Sequence, residues 1–275
     1  EIVRTPYRRR FDIQLATCKG CGAIVQGRHA LQTSDALGAA ASQLGADAHA
    51  ALSVLNKEMG LSHGKCAKVF KRLFGIEIAR STSVRSISRT GLRAEAAYEQ
   101  IKDVARASPW NVPDETGWRI NGENAWLHVT VSPLVTCYVI AKSRGHEVLA
   151  QILGKDYAGK LIHDGFASYN CFLQAIHQTC LNHLLLRCKQ LLEKANRGAV
   201  RFPRAVKALL KEALAYRRRY LQQDISYHGL QVMRGRLRQK MRRLVLPTKT
   251  NADNERFAAH LYRHLDQLFT FLAYP

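Results

Sequence analysis

At 275 residues the chain is long enough to bury a sizeable core in one large or two smaller domains, and 42 Lys and Arg against 21 Asp and Glu leave a net charge of +21. That excess points to a polyanionic partner, with nucleic acid the first choice and an anionic membrane surface the second. No apolar run approaches the roughly 18 residues a spanning helix needs, nothing at the start resembles a signal peptide, and seven scattered cysteines suit a reducing cytosol better than a disulfide framework. Glu1 opens the chain without a methionine and Tyr274-Pro275 closes it just after a helical stripe, so an internal fragment of a longer protein is expected.

The first local signal is Cys18-Lys19-Gly20-Cys21-Gly22, which follows Tyr7-Arg8-Arg9-Arg10-Phe11. A C-x-x-C-G knuckle is half of a tetrahedral zinc site, which needs four ligands. No second C-x-x-C exists downstream, and His29, His63 and Cys66 stand at spacings that fit no familiar site. Cys18 and Cys21 therefore read equally as half a zinc site or as two ordinary reduced thiols. From Ser34 to Ser108 the pattern is helical. Ser34-Asp35 can cap an alanine-rich start that continues through Leu44, His49, Leu52 and Leu55 to Gly60. Ser62 and Gly75 bracket a second helix, and a third stretch runs from beyond Ser81-Thr82-Ser83 toward Ala107. Helix, Gly-containing turn, helix is the helix-turn-helix outline, with Arg80, Arg85, Arg89 and Arg93 along its last part. A plain helical bundle with a solvated basic face fits the same pattern.

Between Pro113 and Asn170 the period changes. Trp118 to Ile120, Ala125 to Val131 and Val135 to Ala141 read as strands, and Asn121-Gly122 between the first two is a strong hairpin signal. A helical segment from Ser143 to Leu153 and a short strand Lys160 to His163 follow, ending on Asp164. Asp114 and Asp164 lie 50 residues apart, yet adjacent central strands would bring both to one edge of the sheet. Carboxylates so placed suit a hard divalent cation. The plainer reading makes Asp114 a strand-entry residue and Asp164-Gly165 a turn.

Past Asn170, Cys180-Leu181-Asn182-His183 could supply two metal ligands, but no partner pair accompanies it; otherwise Cys180 is core and His183 caps a helix. Leu181, Leu184, Leu185, Cys188, Leu191 and Leu192 form a helical core stripe. Between 201 and 243 stand 13 Lys and Arg against Glu212 and Asp224, which is +11 of the total +21. There Leu230, Met233, Leu237, Met241 and Leu244 recur at helical steps, with Arg234, Arg236, Arg238, Lys240, Arg242 and Arg243 in the gaps. This basic face is expected to track DNA phosphates; a merely solvated face is the alternative. Asn254 to Leu272 reads as one last helix.

Four blocks in this order, DETGWRINGENAWLHV from Asp114, Ser143-Arg144-Gly145, LGKDYAGKLIHDGFASYN ending at Asn170, and QTCLNHLLLRC ending at Cys188, resemble the DDE transposases of bacterial insertion sequences, specifically insertion-sequence family sixty-six. The resemblance implies an α/β fold: a ribonuclease-H-like mixed sheet with catalytic acids on central strands, preceded by a helical region and carrying a basic α-helical insertion. The expected divisions are a partial zinc-ribbon-like segment (1–33), a helical region that is either a helix-turn-helix DNA-binding element or a plain bundle (34–108), the ribonuclease-H-like catalytic core (109–194) and the basic helical insertion (195–275). Asp114 and Asp164 match the first two acids and would hold Mg²⁺ or Mn²⁺. The C-x-x-H motif sets His183 near the active site, contacting a phosphate or orienting the scissile strand. Zinc at Cys18 and Cys21 would need ligands upstream of Glu1. The implied partners are double-stranded DNA, both element ends and target, and a second copy of the chain, in a prokaryotic cytoplasm at the nucleoid and at no membrane. The family's third acid, a Glu, follows an Asn-rich segment expected beyond Pro275 and is not Glu193, Glu212 or Glu255, so this chain alone is expected to be inactive. A non-catalytic DNA-binding or regulatory descendant of such an enzyme is the alternative.

Overall fold

The computed structural model describes residues 6–7, 9–32, 43–195 and 197–275. Arg8 and the expected Ser34-Asp35 cap lie outside the described residues. The chain divides into two compact units, Glu1–Tyr98 and Glu99–Pro275.

In the first unit, β1 (Leu15–Thr17) and β2 (Ile24–Gln26) form an antiparallel ribbon. The Cys18 to Gly22 knuckle closes it through Cys18 N–H to Ala23 O (2.8 Å) and Gly22 N–H to Cys18 O (2.9 Å). Helix α1 (Ala46–Ser53) runs into a π-helical turn, Val54–Glu58, and Gly60 follows at φ 67°. Helix α2 (His63–Phe74) has both expected boundaries. The Ser62 side chain accepts from Lys65 N–H, and Gly75 takes the left-handed conformation that a side chain would resist. Helix α3 (Arg80–Ala107) starts earlier than the lead-in Ser81-Thr82-Ser83 had indicated. The reason is tertiary: Ser83 and Ser86 are buried and meet His63 Nδ1 (3.0 Å) and His49 Nδ1 (2.6 Å), so these polar residues belong to the inner face of the helix. Leu52, Cys66 and Phe70 form the core beside them.

The second unit is built on a five-stranded mixed sheet in the order β5-β4-β3-β6-β7. Strands β3 (Trp110–Ile120) and β4 (Glu123–Val131) form a two-residue hairpin in which Ile120 faces Glu123. Asn121 (φ 52°) and Gly122 (φ 87°) are both left-handed, as the favoured hairpin turn requires. Strand β3 is far longer than the Trp118 to Ile120 segment expected, and it runs through Pro113. Its parallel ladder to β6 (Lys160–His163) ends at Asn111, so the missing proline N–H breaks no bond on that side. Strand β5 (Thr136–Ala141) pairs with β4 on the other flank.

Helix α4 (His146–Leu153) starts three residues later than the Ser143 boundary expected from its apolar pattern. Ser143 is held outside it, its carbonyl accepting from His128 Nε2 at 2.9 Å. Strand β7 (Ile176–Thr179) pairs parallel to β6 and was not foreseen, because four residues of mixed polarity show no alternation. Leu149, Ile152 and Leu153 of α4 pack with Ala105, Cys137 and Leu161 over one face of the sheet.

Helices α5 (Leu181–Lys194), α6 (Arg201–Leu221), α7 (Tyr227–Val245) and α8 (Ala252–Arg263) share a second core, in which Leu184 and Cys188 meet Val206, Leu237, Met241 and Leu261. The single helix expected from Asn254 to Leu272 is broken: α8 ends at Arg263, a 3₁₀ turn spans Leu265–Gln267, and α9 covers Thr270–Ala273. Strand β7 causes the break by claiming the backbone groups a helix would use internally. Gln178 bonds Leu268 O (3.2 Å) and Phe271 N–H (2.7 Å), and Thr270 Oγ1 donates to His177 O (2.8 Å).

Candidate active site

Strands β3 and β6 pair with an offset of 50, Trp110 with Lys160 and Asn111 with Leu161. Asp114 and Asp164 are separated by the same 50 positions. Each therefore stands three residues beyond the last paired residue, Asp114 within β3 and Asp164 just past the end of β6. Asp164 Oδ1 accepts the N–H of Phe166 (2.8 Å), and Asp114 Oδ1 accepts that of Glu115 (3.0 Å), which leaves an oxygen of each carboxylate uncommitted to these turns. Cys180 N–H donates to His163 O at 2.6 Å, tying the start of α5 to the residue before Asp164. That bond brings His183 to the same edge, with Nε2 at 3.7 Å from Asp114 Oδ2.

Glu115 carries a role that its neighbour concealed. Side chains alternate along a strand, so the residue after Asp114 must point to the opposite face. There Glu115 is 5% exposed and accepts from Arg144 through Nε (2.9 Å) and Nη2 (2.8 Å), both on Oε1. Its Oε2 accepts the Tyr169 hydroxyl at 2.5 Å. The Arg144 guanidinium lies over the rings of Phe166 (4.1 Å) and Trp126 (4.7 Å). Burial, and then the bond to Glu115, push the Tyr169 hydroxyl above its ordinary pKa; Asp164 and Asp114 add to this, so both acids act on one phenol. A buried charge demands a partner, but nothing in the sequence signalled that Glu115 would be buried.

Histidines back the Asp164 turn. His163 is buried (1% exposed); its Nδ1 accepts from Gly165 N–H (3.1 Å) and its Nε2 meets His177 Nδ1 (2.9 Å), while His177 Nε2 reaches Phe172 O (3.0 Å). Only one set of neutral tautomers satisfies this chain: His163 donates from Nε2 to His177, which donates to the carbonyl. Burial, followed by His177 and His264, lowers the His163 pKa to about 3. Gly165 has φ 92°, and a Cβ there would approach His260 Cε1 to 2.8 Å and His264 Nε2 to 3.0 Å. Burial and His264 lower the His260 pKa, with Asp164 opposing.

Cys18 and Cys21 are exposed in the β1–β2 turn. The Cys18 thiol is held below its ordinary pKa by the Cys21 and Gly20 backbone N–H groups and by the Cys21 thiol. Among the described residues no three His, Cys, Asp or Glu side chains gather where they could hold a metal ion. Glu193 pairs with Lys189 (3.9 Å), Glu212 with Lys240 (2.8 Å), and Glu255 Oε2 accepts the Lys249 N–H (2.6 Å). The six basic residues of α7 are not equivalent. Arg238 pairs with Asp266 and Lys240 with Glu212, and Arg234 donates to Gln231 Oε1 (3.3 Å). Arg236, Arg242 and Arg243 are exposed. No helix among the described residues is long and apolar enough to cross a membrane.

A protein-family model described as Transposase IS66 family matches residues 41–274. No curated protein matches the chain.

Proposed function

Because the chain belongs to the IS66 family of transposases, we propose that its second unit holds the ribonuclease-H-like core of a DDE enzyme that cleaves and joins DNA at insertion-sequence ends, with Asp114 and Asp164 as the first two acids. The observation that carries this reading is the match between the β3–β6 register and the spacing of the two aspartates. Two hard oxygen donors, one within β3 and one just past the end of β6, fit Mg²⁺ or Mn²⁺. Bound there, such ions stabilise the attacking and leaving oxygens of an in-line phosphoryl displacement. His183, within 3.7 Å of Asp114, orients a phosphate of the scissile strand. Glu193, Glu212 and Glu255 each have another partner, and none of them is assigned as the third carboxylate.

The duplex lies along the basic helices of the 195–275 insertion, and the helical region within 34–108 is a second DNA-binding element. Cys18 and Cys21, exposed in the β1–β2 turn, fit half of a zinc site or two reduced thiols. The engaged glutamates also support a second reading, a DNA-binding regulator derived from a transposase. Cleavage of element-end duplexes in Mg²⁺ separates the two. A longer gene product is expected to cut and to lose cutting on Asp114→Asn or Asp164→Asn, while the 275-residue chain binds without cutting. DNA binding with no cleavage by the longer product would favour the regulator. Cleavage by the 275-residue chain that Glu255→Gln abolishes would overturn the assignment of the third acid.

A further inference from the structure

Backbone pairing stops short of the two acids. The β3–β6 ladder ends at Asn111 and Leu161, three residues before Asp114 and Asp164, and Gly165 then turns the chain away. Side chains span the gap instead. From the β3 side comes Glu115, next to Asp114 and sealed from water. From the β6 side come Phe166 and Tyr169, which share the short loop that begins at Asp164. Arg144 joins them, its Nε and Nη2 on Glu115 Oε1 and its plane against Phe166, while the Tyr169 hydroxyl takes Glu115 Oε2. Trp126 on β4 also packs against the guanidinium, 4.7 Å from ring centre to Cζ.

We infer that Arg144 is a positioning residue for both acids, holding Asp114 through Glu115 and Asp164 through Phe166 and Tyr169; this rests on reading the two aspartates as the metal-binding pair. The arrangement also decides which member of Asp114-Glu115 faces the cation. Both Glu115 oxygens are occupied on the far face, so Asp114 meets no competing carboxylate beside it. Lysine cannot replace this arginine. A point ammonium loses the planar contact with Phe166 and Trp126 and cannot present two fixed N–H groups to one oxygen.

The test is a Mn²⁺ titration of the 275-residue chain followed by electron paramagnetic resonance, with circular dichroism and thermal melts in parallel. Losses of about 10–100-fold in metal affinity are usual when a residue that orients a ligand is removed. Arg144→Lys is expected to keep the fold and weaken Mn²⁺ binding by about 10-fold or more, and Tyr169→Phe to weaken it less. Wild-type affinity in folded Arg144→Lys overturns the inference. Should that variant not fold, Tyr169→Phe decides, and unchanged affinity there overturns it. Asp114→Asn and Asp164→Asn serve as the reference: if neither reduces Mn²⁺ binding, the assignment of the acids fails and the positioning role falls with it.

Discussion

Replacing Arg236, Arg242 and Arg243 together by Gln removes three exposed cations from one helix without touching its buried face, which is made by Leu230, Leu237 and Met241. Each Lys or Arg that neutralises a phosphate contributes about 0.9 to the slope of log affinity against log salt, so losing three should flatten that slope by about 2.7. Between 50 and 200 mM salt, the wild type's loss of affinity should then exceed the variant's by roughly 40-fold. Surface changes of this kind alter stability by about 0.5 kcal/mol or less, so the effect is not a folding defect. The matching pair, Arg238→Gln with Lys240→Gln, should do less per residue. Those cations already face Asp266 and Glu212, and a phosphate would have to displace a carboxylate to reach them. Fluorescence anisotropy on two unrelated duplexes across 50–300 mM KCl reads both slopes. An unchanged slope in the triple variant would refute the phosphate-tracking role of α7. A larger drop from the paired residues would show that the ion pairs do not govern which arginines reach DNA.

His163 should make the fold acid-sensitive. The unfolded imidazole takes up its proton near pH 6.5 and the folded one only near pH 3, so between these values the unfolded state binds more protons. Stability from this group is complete above pH 6.5 and falls by about 1.4 kcal/mol per unit on acidification, and urea melts from pH 7 to 4 should be shallower in pH dependence for His163→Asn than for wild type. Equal dependence in both would refute the neutral buried assignment. Gly165→Ala should destabilise by roughly 1–3 kcal/mol, because φ 92° strains a side chain and the added Cβ meets His260 at 2.8 Å. Denaturant midpoints test it, and an unchanged midpoint would mean the histidine pair gives way freely.

Features encoded within a few residues were legible before any coordinates. Asn121-Gly122 specifies a hairpin because both positions must be left-handed. Ser62 and Gly75 bound α2 because one accepts a backbone N–H and the other takes a conformation closed to most residues. The Leu230 to Met241 spacing buries one face of α7 wherever that helix packs. The order of the blocks around Asp114 and Asp164 carried the family resemblance.

Tertiary structure decided whatever depends on a partner distant in sequence. Strand β7 exists because β6 offers it an edge, since Ile176 to Thr179 has no strand pattern of its own. The last helix breaks at His264 because Gln178, some 90 residues earlier, takes its backbone groups. Arg238 and Lys240 differ from Arg236 and Arg243 only through acids 28 residues away along the chain. Glu115 reads as an ordinary acid beside Asp114 until the sheet buries it against an arginine 29 residues further on. Propensity and periodicity act over one or two turns of chain; burial and charge pairing act through space, and only the folded sheet and helices set which groups share that space.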